Sequence, residues 1–180
     1  MSFKQLFATP KGFEPRPALL QHSQIPKGLH GHAPRVVLGQ EWWDKQRQAA
    51  YAKYGYRCWA CGSDENEEPL EAHECYDFNF KDCVATLHEV VALCSQCHQF
   101  IHSGLLYRRV FAGEIEEAAA IATLQRGEQL LMAAGLSMQI GTAETMAFLG
   151  MKHKARLLQR VQDFRDCTWK IIVEGREYNV

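Results

Sequence analysis

The 180-residue chain is 47% hydrophobic and 23% charged, with a formal net charge of −1, a make-up expected of one modest globular domain or two very small ones. No apolar run approaches the roughly 18 residues that span a bilayer, and Met1-Ser2-Phe3-Lys4-Gln5 lacks the apolar stretch of a secretory signal, so no membrane partner is expected. Seven cysteines without such a signal imply thiols kept reduced or bound to metal, in a cytoplasm.

The small net charge conceals an asymmetry. Residues 1–57 carry nine Lys/Arg against three Asp/Glu, whereas residues 58–102 carry one against nine. An acidic centre suits a metal cation better than DNA. If nucleic acid binds, the basic N-terminal segment is the expected contact, and a merely solvated basic arm is the competing reading. Residues 8–39 contain five prolines and four glycines, so residues 1–39 are expected to form an extended, loop-rich arm wrapping the rest. A helix follows over 41–55, with Trp43, Arg47, Ala50 and Tyr54 on one face and Gly55 as its C-terminal cap. Trp42 and Trp43 read as core anchors rather than base-stacking platforms. Lys45, Arg47 and Lys53 are the candidate DNA contacts.

"CWAC" (Cys58, Cys61) and "CSQC" (Cys94, Cys97) stand 32 residues apart. Each CxxC turn can aim both sulfurs at one point, and two such turns complete a tetrahedral thiolate site suited to structural Zn2+. A redox CxxC is the alternative, which two pairs in one short segment disfavour. Cys75, Cys83 and Cys167 have no comparable spacing and read as isolated thiols. Between the pairs, residues 69–78 and 88–94 read as strands. His98 and His102 share one face if Ser95 or Gln96 begins a helix, and that spacing allows joint coordination of a metal. Neighbouring helix positions diverge by about 100°, so Cys97 and His98 can face different ions. Taken alone, the histidine pair favours a surface or capping role over a metal site.

Beyond this segment a helix is expected over 113–135, weakened at Gly127, and it could bury against the core or serve a homodimer. Another is expected over 142–164, with Thr142 or Thr145 as N-cap and Gly150 as a possible break. Lys170-Ile171-Ile172-Val173, the turn Glu174-Gly175 and a short return strand predict a C-terminal β-hairpin.

"CWAC", "LEAHE", "VALCSQCH" and "FIH", in that order, resemble the HNH endonucleases, the ββα-metal nucleases in their four-cysteine, zinc-stabilised form. The resemblance covers residues 40–105, and the preceding "LHGHAPRVVLGQEWWDKQRQAAYAKYGYRC" is similar to what comes before this module in bacterial and phage members. It implies an α+β fold: an N-terminal arm at 1–39, a ββα-metal module at 40–105, and a helical extension with hairpin at 106–180. It also implies a metal-dependent hydrolysis of DNA phosphodiesters. His73, His98 and His102 would hold a second divalent ion (Mg2+, Mn2+, Ni2+ or Zn2+), with Glu74 in the position of the water-activating base.

Two departures qualify what the resemblance implies. The family places His where Glu74 stands. A carboxylate is intrinsically the weaker base unless burial raises its pKa. In a second alignment His73 is itself the base, which leaves only His98 and His102 for the ion. The family's middle asparagine is replaced by Glu89, which could orient the base, ligate the metal or face solvent. A catalytically degenerate zinc module that binds DNA or a protein partner is therefore the alternative. No nicotinamide, flavin or nucleotide motif is present. The setting implied is a cytoplasm, the host's if the chain is phage-encoded.

Overall fold

An antiparallel pair of long strands forms the centre of the fold in the computed structural model, which describes residues 13–22, 25–64, 66, 68–79, 81–136 and 168–180. Strand β1 (Leu70–Asn79) pairs with β2 (Val84–Cys94) from Leu70↔Cys94 to Asn79↔Val84. The register slips between Cys75 and Tyr76, which pair with Glu89 and Leu87 and leave His88 as the extra residue of a bulge. β2 is longer than the 88–94 expected. Its last five residues, Val90–Cys94, are all buried, the pattern of a strand covered on both faces.

The C-terminal hairpin forms as its sequence predicts, as β3 (Lys170–Val173) and β4 (Arg176–Asn179). Its turn uses positive φ at both Glu174 and Gly175, the geometry that matches strand twist. Sequence patterning did not reveal its destination. β3 adds to β2 in parallel, giving a four-stranded sheet in the order β1-β2-β3-β4.

Five α-helices accompany the sheet among the described residues. The short α1 (Pro34–Val37) and two 3₁₀ turns, Pro17–Gln21 and Lys27–Leu29, give the N-terminal segment more local structure than its proline content suggested. Helix α2 (Gln40–Lys53) buries Trp43 and Ala50 as expected, while Trp42 reaches Glu174 of the hairpin through its indole N–H. α3 (Ser95–Ile101) starts at the predicted residue, and α4 (Ser103–Phe111) follows at once, an element the sequence reading had not separated. In α5 (Glu117–Ala133), Gly127 marks no weakness: the helix is continuous, and a Cβ there would collide with the Phe100 ring. Gly127 is thus the notch that lets α5 close on α3. Ala120, Leu124 and Leu131 of α5 join Trp43, Trp59, Leu93 and Phe100 in one core, so this helix buries against the module. A second cluster, Leu29, Ala85, Trp169, Ile171 and Val173, fastens the hairpin.

One cysteine expectation changes. Cys75 is a buried free thiol, as expected, but Cys83 is disulfide-bonded, against the expectation of an isolated reduced thiol. The helix predicted over 142–164, and Cys167, lie outside the described residues. No helix among the described residues is long and apolar enough to cross a membrane.

Candidate metal centre

Each CxxC sits where the backbone turns sharply. At the first, Gly62 N–H donates to the Cys58 carbonyl at 2.8 Å and Cys58 N–H to the Ser63 carbonyl at 2.8 Å. Gly62 has φ +81, and a Cβ there would press on Pro15 at 3.0 Å, so glycine is required twice over. The second knuckle is the end of β2 running into α3. The four sulfurs of Cys58, Cys61, Cys94 and Cys97 lie within 4.8 Å of one another, and Cys61 and Cys94 are 3.8 Å apart. A tetrahedron of ligands at a zinc–sulfur distance of about 2.3 Å has an edge of about 3.8 Å. Contact with Cys58 pulls the Cys61 thiol well below the ordinary range and pushes Cys94 and Cys97 above it. Four sulfurs this close share negative charge only with a cation among them, and the donor set fits zinc.

Arg126 of α5 lies beside this cluster. It pairs with Glu68 at 3.1 Å, and its Nη2 reaches Cys61 Sγ at 3.7 Å. Glu68 in turn accepts the Gln96 backbone N–H at 2.9 Å. A guanidinium here offsets the charge of the thiolates and ties α5 to the knuckles.

The second cluster begins one residue after Cys97. His98 lies within α3, and His102 is the residue between α3 and α4, where its N–H still donates to the His98 carbonyl at 3.0 Å. His73 faces them from β1. Ring centroids are 5.3 Å apart for His73 and His98, 5.1 Å for His73 and His102, and 4.7 Å for His98 and His102. One nitrogen from each ring lies within 4.8 Å of the other two. The three imidazoles thus converge, separately from the sulfurs; spacing alone pairs His98 with His102, and the resemblance adds His73.

Their surroundings suit a cation. His98 Nδ1 donates to Glu71 Oε2 at 2.6 Å, and Ser95 Oγ donates to Glu71 Oε1 at 2.9 Å. This carboxylate fixes the proton on Nδ1 and frees Nε2 as a lone-pair donor. The His98 hydrogen bond, opposed by partial burial, also holds the Glu71 carboxyl below its usual range. His73 is 1% exposed, and its Nδ1 is buried with no hydrogen-bond partner. Burial, then the neighbouring imidazoles, depresses its pKa well below that of an ordinary histidine. Burial, reinforced by His98, brings His102 down to about 4. Both are therefore neutral near pH 7, the form that ligates metal. An open cleft lined by Glu71, His98, Gln99, His102, Leu106 and Arg109 gives access to His98 and His102 from one side.

The remaining candidates are more dispersed. Strand alternation sends Glu74 to the opposite face of β1 from His73. Burial pushes its carboxyl up, partly countered by Arg35 and His98. Glu89 pairs with Arg16 at 2.9 Å and lies opposite Cys75 in the register. Among the nominated DNA contacts, Lys45 pairs with Glu41 and Arg47 with Asp44, while Lys53 lies over the Tyr54 and Trp59 rings. The sequence reading missed Glu71 and Arg126. Glu71 was within reach of a period-two argument, since it shares a strand face with His73. Arg126 carried no local signal. No family model matches the chain, no curated protein matches it, and no solved structure matches it.

Proposed function

We propose that the chain is an HNH-type, metal-dependent endonuclease that hydrolyses DNA phosphodiesters at a divalent ion held by His73, His98 and His102. The observation that carries this is the convergence of the three imidazoles on a strand, strand and helix clamped at their ends by a four-cysteine cluster. A divalent ion bound there supplies Lewis-acid stabilisation of the charge that develops on the phosphate oxygens. The protein's own part is to hold the ligands neutral and aimed: Glu71 sets the His98 tautomer, and burial keeps protons off His73 and His102. Arg109, at the cavity wall and paired with Glu114 at 3.1 Å, is the cation that lines the approach of a phosphate.

Glu74 stands where the family has its water-activating base, and burial raises its carboxyl pKa, but it lies on the strand face opposite His73, so we assign it no step at the ion. One observation favours the second reading, a zinc module that binds nucleic acid or a protein partner without cutting: Glu74 and His73 alternate across the strand. A single experiment separates the two. Purified chain is incubated with supercoiled plasmid and Mg2+, Mn2+ or Ni2+. An endonuclease nicks the plasmid with at least one ion and stops doing so as His98→Ala. Plasmid left intact under every ion contradicts the enzyme and leaves the binding module.

A further inference from the structure

His73 has two ring nitrogens, and the partner of the second comes from the N-terminal segment. His22 Nδ1 lies 3.2 Å from His73 Nε2, and the rings meet edge to face with centroids 4.9 Å apart. The 3₁₀ turn Pro17–Gln21 delivers His22 to this place, with its backbone N–H donating to the Leu19 carbonyl at 3.1 Å. The other nitrogen of His22, Nε2, is 2.8 Å from the backbone nitrogen of Tyr76 and 3.2 Å from the Tyr76 carbonyl oxygen. β1 is an edge strand, so His22 covers backbone groups that the sheet itself does not pair.

A histidine that ligates metal carries its proton on the other ring nitrogen, and that proton needs an acceptor. For His73 the nitrogen facing His22 is Nε2, while Nδ1 is buried and partnerless. We infer that His22 is a positioning residue for a cation at His73: it accepts the His73 Nε2 proton on its own Nδ1, donates its Nε2 proton to the Tyr76 carbonyl, and so leaves His73 Nδ1 bare. This inference rests on the proposed ion at His73, His98 and His102.

Each neutral ring holds one proton, so two patterns satisfy the pair. In the first, just described, His73 Nδ1 is a lone-pair donor. In the second, His22 Nε2 accepts from Tyr76 N–H, His22 Nδ1 donates to His73 Nε2, and the His73 proton sits on buried Nδ1 without an acceptor. The second pattern leaves the His73 Nδ1 proton unsatisfied, the first leaves Tyr76 N–H without its 2.8 Å acceptor, and a cation on His73 Nδ1 excludes the second. Because Nε2 of His22 lies within reach of both Tyr76 groups, the ring can serve either pattern with no net change in charge. Loading the ion moves the pair to the first.

The test uses the full chain with zinc in its cysteine cluster and Mn2+ as the probe, titrated calorimetrically. His22→Phe keeps a ring of similar shape but no nitrogens. His22→Gln keeps an acceptor for His73 and a donor for Tyr76. His22→Phe is expected to weaken Mn2+ binding by about 10–100-fold, with zinc content and far-UV circular dichroism unchanged, and His22→Gln is expected to restore most of the loss. A second readout does not depend on any variant folding. In long-range 1H–15N spectra with Zn2+ as a diamagnetic occupant, the His22 proton should move from Nδ1 to Nε2 as the second site fills. If His22→Phe binds Mn2+ as tightly as the parent chain, or if the His22 proton stays on Nδ1, the positioning role is overturned and the metal site stands. If the parent chain binds no Mn2+ beyond its zinc, the site and the inference fall together.

Discussion

Cys97 and His98 are neighbours on α3, yet they belong to clusters with opposite surroundings. Three of the four cysteines are fully buried, and the fourth, Cys61, is flanked by Arg126 and Ser63. Of the three imidazoles, His73 of β1 is enclosed beside His22, while His98 and His102 line an open cavity. Structural zinc sites are closed by four protein ligands, whereas catalytic ions keep a position for water or substrate. On the function proposed above, the contrast assigns different consequences to the two clusters: loss of an ion from the sulfurs should take the fold with it, and loss of one from the imidazoles should take only chemistry.

That contrast is most easily broken at the sulfurs. Cys97→Ser removes a ligand from a site whose apparent binding energy is about 10–16 kcal/mol in comparable zinc modules, more than the whole net stability of most domains. The variant should lack zinc and show no cooperative thermal transition by circular dichroism. A folded, zinc-free Cys97→Ser protein would make the two clusters equivalent.

Glu71→Gln probes the open cluster more gently. The amide still fills the space and can accept one hydrogen bond, but it no longer offers His98 a charged acceptor. Affinity for the second ion, read by Mn2+ titration, should fall by about 10–100-fold, with the melting temperature of the zinc-bound protein nearly unchanged. An unchanged Mn2+ affinity would remove Glu71 from the site.

Acid should distinguish the clusters by a smaller amount. In zinc-bound protein without the second ion, burial depresses the pKa of His102 to about 4 and holds that of His73 well below its ordinary value, whereas both titrate near 6.5 in the unfolded chain. Between those values the unfolded state binds more protons, so stability falls as pH drops through 6.5, and above 6.5 there is no penalty. The slope is at most about 1.4 kcal/mol per pH unit for each group. Urea unfolding at pH 6.5 and 5.5 should show the loss, and His102→Asn should reduce it. A slope that His102→Asn leaves intact would assign the acid sensitivity elsewhere.

The parts of this protein that depend on local spacing were legible in its sequence. Two CxxC pairs, the His98/His102 interval and the Glu174-Gly175 turn each encode their geometry within a few residues. What depends on chain segments meeting across long separations was not. His22 reaches His73 over 51 residues, and its proline-rich surroundings signal only irregular backbone. β3 joins β2 in parallel, a pairing for which the alternation of Lys170–Val173 gives no partner. Gly127 illustrates a third kind of miss: helix propensity counts the missing side chain as a cost, while the Phe100 ring packed against it makes the absence a requirement.

Elemental analysis of the purified chain, before and after brief treatment with a mild chelator in the presence of excess Mn2+-free buffer, addresses the two-cluster arrangement most directly. Two metal ions per chain are expected at saturation, one leaving readily while the fold persists and one leaving only as the circular dichroism signal collapses. A single ion per chain at saturation, or two that depart together with the fold, would contradict it.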